Sequence, residues 1–175
     1  SDFGPEVMQN LWDVAQPMDG CLYGLEALGA LRIEKGHVTG AELDGRVTIE
    51  DAGLGRMASD KKSYIGSALR ERPELVRADR PRLVGIFPRD RQEIFNAGAI
   101  LCAADEISGY GAGWITAVTH SPALGHWIGL GFIKGGHDAW QDREVVCADP
   151  VRKGNTAVEI VSPHMYDPKG ERMYG

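Results

Sequence analysis

Six short apolar runs in the second half of the chain constrain its fold more than any other feature. They occupy residues 82–87, 99–102, 113–118, 126–133, 144–147 and 156–161. Turn-formers stand between them: Pro88, Gly109 and Gly111, Ser121-Pro122, Gly135-Gly136 and Lys153-Gly154-Asn155. Runs of four to eight residues bounded in this way read as strands, and no long helical pattern intervenes. Strands following one another so closely pair antiparallel, which makes this half a barrel or a sandwich.

The first half has a different period. Val7, Met8, Leu11, Trp12 and Ala15 fall on one side of a helix, with Pro5 suited to its first turn and Pro17 stopping it. A second helix carries Leu25, Leu28 and Leu31 and ends at Lys35-Gly36. A cation favours the negative end of the helix dipole there, and a glycine just beyond takes the left-handed conformation that ends the helix. The short linker at 18–23 predicts that the two helices pack as neighbours. Arg32 and Glu34 lie about 200° apart around the second helix, so they do not pair with each other and each needs another partner. A third, short helix is expected over 63–71, closed by Pro73. The polar stretch 74–81 marks the boundary between a first unit, 1–78, and a second, 79–175. The whole is α+β. A chain opening directly on an amphipathic helix reads as a piece beginning partway through a domain, and the bare helix face predicts dimerisation or strand exchange.

Composition excludes several function classes. The net charge of −6 and pI near 5.4 leave no basic face for nucleic acid. No apolar run approaches the roughly 20 residues of a membrane span, and the N-terminal residues lack the basic and apolar regions of a signal peptide. Cys21, Cys102 and Cys147 form no framework, fit a reducing cytoplasm and read as small buried apolar side chains. The five histidines are scattered, and no zinc site is expected.

Three local patterns invite a functional reading and lose it. Gly109-Tyr110-Gly111-Ala112-Gly113 is followed by a strand rather than a helix N-terminus, so it has no phosphate cradle and reads as a bend. Thr119, His120 and Ser121 are adjacent on a strand, where neighbouring side chains point to opposite faces, and no nucleophile elbow accompanies them; a hydrolase is rejected. The basic residues of 59–78 could meet an anion, but read more simply as a solvated face.

An ordered series of motifs goes further. Leu31-Arg32-Ile33-Glu34-Lys35-Gly36, Asp44-Gly45 with Thr48, Asp51-Ala52-Gly53-Leu54, Lys61-Lys62 and Tyr64-Ile65-Gly66 resemble the aminomethyltransferase (glycine-cleavage T-protein) family. Leu83-Val84-Gly85, Gly98-Ala99, Ile115-Thr116, Ser121-Pro122, Leu124-Gly125 and Ile128 follow in the order of that family's C-terminal barrel. The combination of Glu34-Lys35-Gly36, Asp51-Ala52-Gly53-Leu54 and the ending Asp167-Pro168-Lys169-Gly170-Glu171-Arg172 is most similar to the branch formed by the α subunits of heterotetrameric sarcosine oxidase.

The resemblance implies that 1–78 is the end of a folate-binding domain and 79–175 a jelly-roll-like antiparallel barrel. It implies oxidative demethylation of sarcosine with transfer of the one-carbon unit to tetrahydrofolate. Flavin, NAD and the other sarcosine oxidase subunits would lie outside this chain, which would be inactive alone. By position it implies a folate side at Leu28, where the family carries an arginine, and at Tyr166 and Arg172. Arg32 and Glu34 are expected to tie the helix to its surroundings rather than to bind ligand. Two alternatives remain: a non-catalytic binding or assembly module anchored on Val7, Leu11 and Trp12, and a related folate-dependent demethylase.

Overall fold

The computed structural model describes residues 2–107 and 109–174. The six runs form β1 (Pro81–Pro88), β2 (Ile100–Ala103), β3 (Gly113–Ser121), β4 (His126–Lys134), β5 (Val145–Asp149) and β6 (Gly154–Val161). They close into an antiparallel barrel in the order β1-β4-β3-β2-β5-β6, which decides between barrel and sandwich. Strands β2, β3 and β4 follow as neighbours, and β1 lies beside β4 rather than beside β2, a Greek-key arrangement.

The alternation along β4 shows why the strand has two different faces. Gly129 and Gly131 face inward and leave room for Phe95 and Ile86, whose atoms a Cβ at those positions would meet at 2.8 and 2.9 Å. Val84, Ile86, Leu101, Ile115, Val145 and Val158 complete the barrel interior. The opposite side chains of β4, Ile128, Leu130 and Phe132, join Leu83 and Ala117 on the outer wall. Ile33, from the second helix, packs onto that wall and is buried there. Burying one such side chain contributes about 1.5–3 kcal/mol toward holding the helix on the barrel.

The helices are α1 (Gly4–Ala15) and α2 (Leu25–Glu34), and a short α3 (Glu171–Tyr174) follows the barrel. Three expectations need correction. No residue of α1 is buried, and it does not pack substantially against α2. The short linker brings the two helices near in sequence, but their apolar faces do not meet. The face of α2 that packs carries Ile33 and Glu34, while Leu25, Leu28 and Leu31 stay exposed. The stretch 63–71 is not a helix: a single 3-10 turn spans Ser67–Leu69, entered through Gly66 at a φ of 91°. A left-handed residue in its middle and too few apolar partners deny that segment the packing a short helix needs.

From 37 to 80 the backbone is mostly turns, held by side chains. Arg80 forks onto Asp51, with its Nε 3.1 and 3.0 Å from the two carboxylate oxygens, while the Asp51 carbonyl accepts the Leu83 N–H of β1 at 2.8 Å. Asp51 thereby pins this irregular stretch to the first strand.

Candidate functional site

The C-terminal end of α2 is where helix, barrel and C-terminal segment converge. Glu34 is buried, and the Ser121 hydroxyl at the end of β3 donates to its carboxylate. Ser121 Oγ in turn accepts the Leu124 N–H at 3.0 Å. The Glu34 carbonyl accepts two amides, from Met165 at 3.1 Å and Tyr166 at 2.9 Å. His164 Nδ1 lies 2.9 Å from the Lys35 carbonyl, which makes Nδ1 the protonated nitrogen. Gly36 follows at a φ of 71°, and a Cβ there would stand 2.5 Å from the Pro163 carbonyl oxygen. Glycine is needed at this position twice over, for its backbone conformation and for the closeness of the crossing chain.

Lys35 extends the clamp. Its Nζ donates to the Asp167 carbonyl at 2.6 Å and lies 3.4 Å from the carboxylate. Asp167 Oδ1 accepts the Glu171 N–H at 2.9 Å and so fixes the start of α3. That places the Arg172 guanidinium 5.6 Å from the centre of the Tyr166 ring. Two of the three folate-side positions expected from the sequence are thus in contact. Leu28 lies six residues before Glu34, about 9 Å along the helix axis, on the exposed face. Five surface grooves of about 300 to 630 Å³ are lined by other residues, and none of them touches Leu28, Tyr166 or Arg172.

Arg32 and Glu34 do each find a separate partner. Arg32 Nη1 donates to Glu42 Oε2 at 2.9 Å, and that oxygen also accepts the Thr39 N–H at 2.8 Å. Glu42 is fully buried. Burial raises the carboxyl pKa, but hydrogen bonds from Thr116 and Thr39 and the Arg32 charge outweigh it and hold the group below its ordinary value. Asp51 behaves alike: burial is overcome by the Arg80 fork and by Thr48. Sequence reasoning passed over Glu42 and quoted Asp51 only as part of a family motif, although a signal for both was present. Thr39-x-x-Glu42 and Thr48-x-x-Asp51 are both hydroxyl-to-acid pairs three residues apart, and in the second the Thr48 N–H donates to Asp51 while the Asp51 N–H donates to Thr48 Oγ1.

The discarded patterns take these places. Residues 109–113 form the turn entering β3, and Ser121 is committed to Glu34 and Leu124. Arg70 of the basic stretch is bound to Glu50 and Tyr64, each at 2.6 Å, and Arg77 to Glu74 and Asp79. Cys102 and Cys147 lie buried in the barrel, and burial pushes the Cys147 thiol up to about 11; Cys21 is exposed. Among the described residues no cluster of three or more His, Cys, Asp or Glu could hold a metal ion, and no helix is long and apolar enough to cross a membrane.

Residues 82–167 match the glycine cleavage T-protein C-terminal barrel domain. Sarcosine oxidase subunit alpha of Rhizobium meliloti (strain 1021) is 31% identical over 175 residues, and that of Corynebacterium sp. (strain U-96) is 34% identical over 177. Each alignment takes in 98% of this chain but only 18% of the relative, so the chain spans about a fifth of the length of these proteins. The crystal structure of glycine cleavage system aminomethyltransferase T from Bartonella henselae superposes with a TM-score of 0.70, over 94% of this chain and 44% of that one. At 22% identity that likeness is one of fold. Barrel, motif order and alignment agree: residues 82–167 match the glycine cleavage T-protein C-terminal barrel domain, within a sequence similar along nearly its whole length to sarcosine oxidase α subunits.

Proposed function

We propose that this chain serves as the folate-side barrel unit of a sarcosine oxidase α subunit, in the demethylation of sarcosine with transfer of the one-carbon unit to tetrahydrofolate. The observation that carries the reading is the similarity of 98% of the chain to two such subunits. The remainder of the machinery, with its flavin and NAD sites and the other subunits, would lie outside these 175 residues, in a cytoplasmic complex.

The Tyr166–Arg172 stack suits one part of a reduced folate, since it offers a flat aromatic face with a cation against it. Bound there, tetrahydrofolate would supply the amine nitrogen that captures the one-carbon unit. The chain's own contribution is positional. Lys35 and Asp167 fix the turn that brings Arg172 onto Tyr166, and the Glu34 carbonyl holds the Tyr166 amide. A wall held in this way excludes water from the transfer, and an imine exposed to water would hydrolyse.

Calorimetric titration of tetrahydrofolate into the longer parent protein, with and without Arg172→Ala, tests the reading. Weaker binding in the variant with an unchanged melting temperature supports it; unchanged affinity removes Arg172 from the folate side. The isolated chain should show no turnover of sarcosine, and activity there would overturn the division of labour. A non-catalytic assembly module is kept as a second reading, because Val7 and Leu11 of α1 are exposed, while Trp12 is half-buried.

A further inference from the structure

The barrel is closed near the β2 end of β3 and open beyond it. β2 pairs with β3 only at Ile100–Trp114 and Leu101–Gly113, and the preceding loop continues the pairing through Ile115, which donates to Ala99 at 2.9 Å and accepts from Gly98 at 2.8 Å. A bulge at Thr116 then carries β3 past its neighbour. On its other side β3 stays paired with β4 as far as Ser121–His126.

Register decides which backbone groups are left over. Lys134 N–H donates to the Ala112 carbonyl, and Gly135 N–H to Arg80 before β1, so the even-numbered residues of β4 turn their backbone toward β3. Opposite them stand Ala117, Thr119 and Ser121. The intervening residues, Val118 and His120, therefore aim their N–H and C=O groups at the open edge. Among the described residues, the hydrogen bond recorded on that side is the one His120 O accepts from the neighbouring Thr119 hydroxyl, at 3.3 Å.

A groove of about 630 Å³ runs along this edge, between β3 and α2. Gly29, Ala30, Ala97 and Ala117 give it small walls, and Trp127 and Ile33 make it apolar. Glu26 stands exposed at its margin with no basic partner among the described residues.

We propose that the Val118–His120 edge receives an extended strand from a partner polypeptide, with small apolar side chains facing the groove and a basic residue against Glu26. Unsatisfied edge amides select for backbone, as in other cases where a strand is added to a sheet. The small residues set the width, and the unpaired carboxylate sets the charge. A second copy of the barrel is disfavoured as occupant, because α2 walls the edge and leaves room for a strand rather than for another hairpin carrying its own helix.

Amide hydrogen exchange of the 175-residue chain tests this, with the peptide acetyl-Lys-Val-Ala-Val-Ala-Val-amide as probe. In the free chain Val118 and His120 should exchange quickly while Thr119 and Ser121 are protected. At a peptide concentration about ten times its measured Kd, Val118 and His120 alone should slow by about tenfold. A peptide N-methylated on alternate residues should leave both unprotected, a control that does not alter the protein. The proposal fails if the two amides are already protected in dilute free chain, or if the unmethylated peptide protects neither. It also fails if protection rises with protein concentration alongside a dimer in sedimentation, which would identify a second copy as the occupant.

Discussion

Gly36 and Gly53 offer a matched pair for measuring how tightly the C-terminal segment is clamped to α2. Their backbones are nearly alike, with φ of 71° and 75°, so replacement by alanine imposes the same left-handed strain, about 1–2 kcal/mol. Their surroundings differ. A Cβ at Gly53 has no atom within 4 Å, whereas one at Gly36 would lie 2.5 Å from the Pro163 carbonyl oxygen and 2.8 Å from its carbon. Those are backbone atoms and cannot swing aside. The crossing chain must move, which loosens the two amides on the Glu34 carbonyl and the His164 bond to Lys35. Three hydrogen bonds at about 0.5–1.5 kcal/mol each add about 1.5–4.5 kcal/mol to the shared backbone cost. Gly53→Ala should lower stability by about 1–2 kcal/mol and Gly36→Ala by about 2.5–6.5 kcal/mol. For a chain of this size, each kcal/mol moves Tm by about 2–4 °C. Urea unfolding followed by tryptophan fluorescence gives both values, provided the transitions are two-state with equal slopes. Equal losses in the two variants would refute the clamp.

Three further outcomes follow from the same contacts. Glu34→Gln should cost about 1–3 kcal/mol and show strong coupling to Ser121→Ala in a double-mutant cycle, with folate affinity of the parent protein unchanged; additive effects would mean that the two side chains do not act together. Glu42 and Asp51 both have folded-state pKa values below their ordinary 4.5 and 3.8, so the unfolded chain takes up protons first as pH falls. The stability they add is complete above about pH 5 and declines through more acid pH, and the decline should be shallower in Glu42→Gln; identical acid profiles would count against it. In the native chain Cys21 should react with a thiol reagent well before Cys147, whose thiol is both buried and raised to about 11; equal rates would contradict the buried placement.

Local chemistry made much of this molecule legible. Each strand's residues alternate or run apolar between turn-formers, so short-range sequence is enough to mark strands. Lys35-Gly36 ends α2 for reasons contained in those two residues, and the family motifs are likewise read along the chain. The sequence separation of the partners limited everything else. Ser121 meets Glu34 across 87 positions, and Lys35 meets Asp167 across 132. Neither pair has a local signature. Periodicity showed that α2 has an apolar face but not what that face would touch; in the fold Ile33 was drawn to the barrel wall, while Leu25 remains 86% exposed. At 63–71 the apolar spacing suggested a helix, yet a short helix needs a surface to pack against, and the fold supplies none there.

The residues themselves determined the six strands and the first two helices, the place where α2 stops and the kinship of the barrel, because propensity, turn chemistry and motif order act over a few positions. Tertiary structure alone decided that Glu42 would be a buried charge, that the C-terminal segment would close over Gly36, and that β3 would outrun its neighbour and leave Val118 and His120 facing an open groove. Those outcomes depend on which distant backbones come together as the barrel closes, and no stretch of neighbouring residues encodes that.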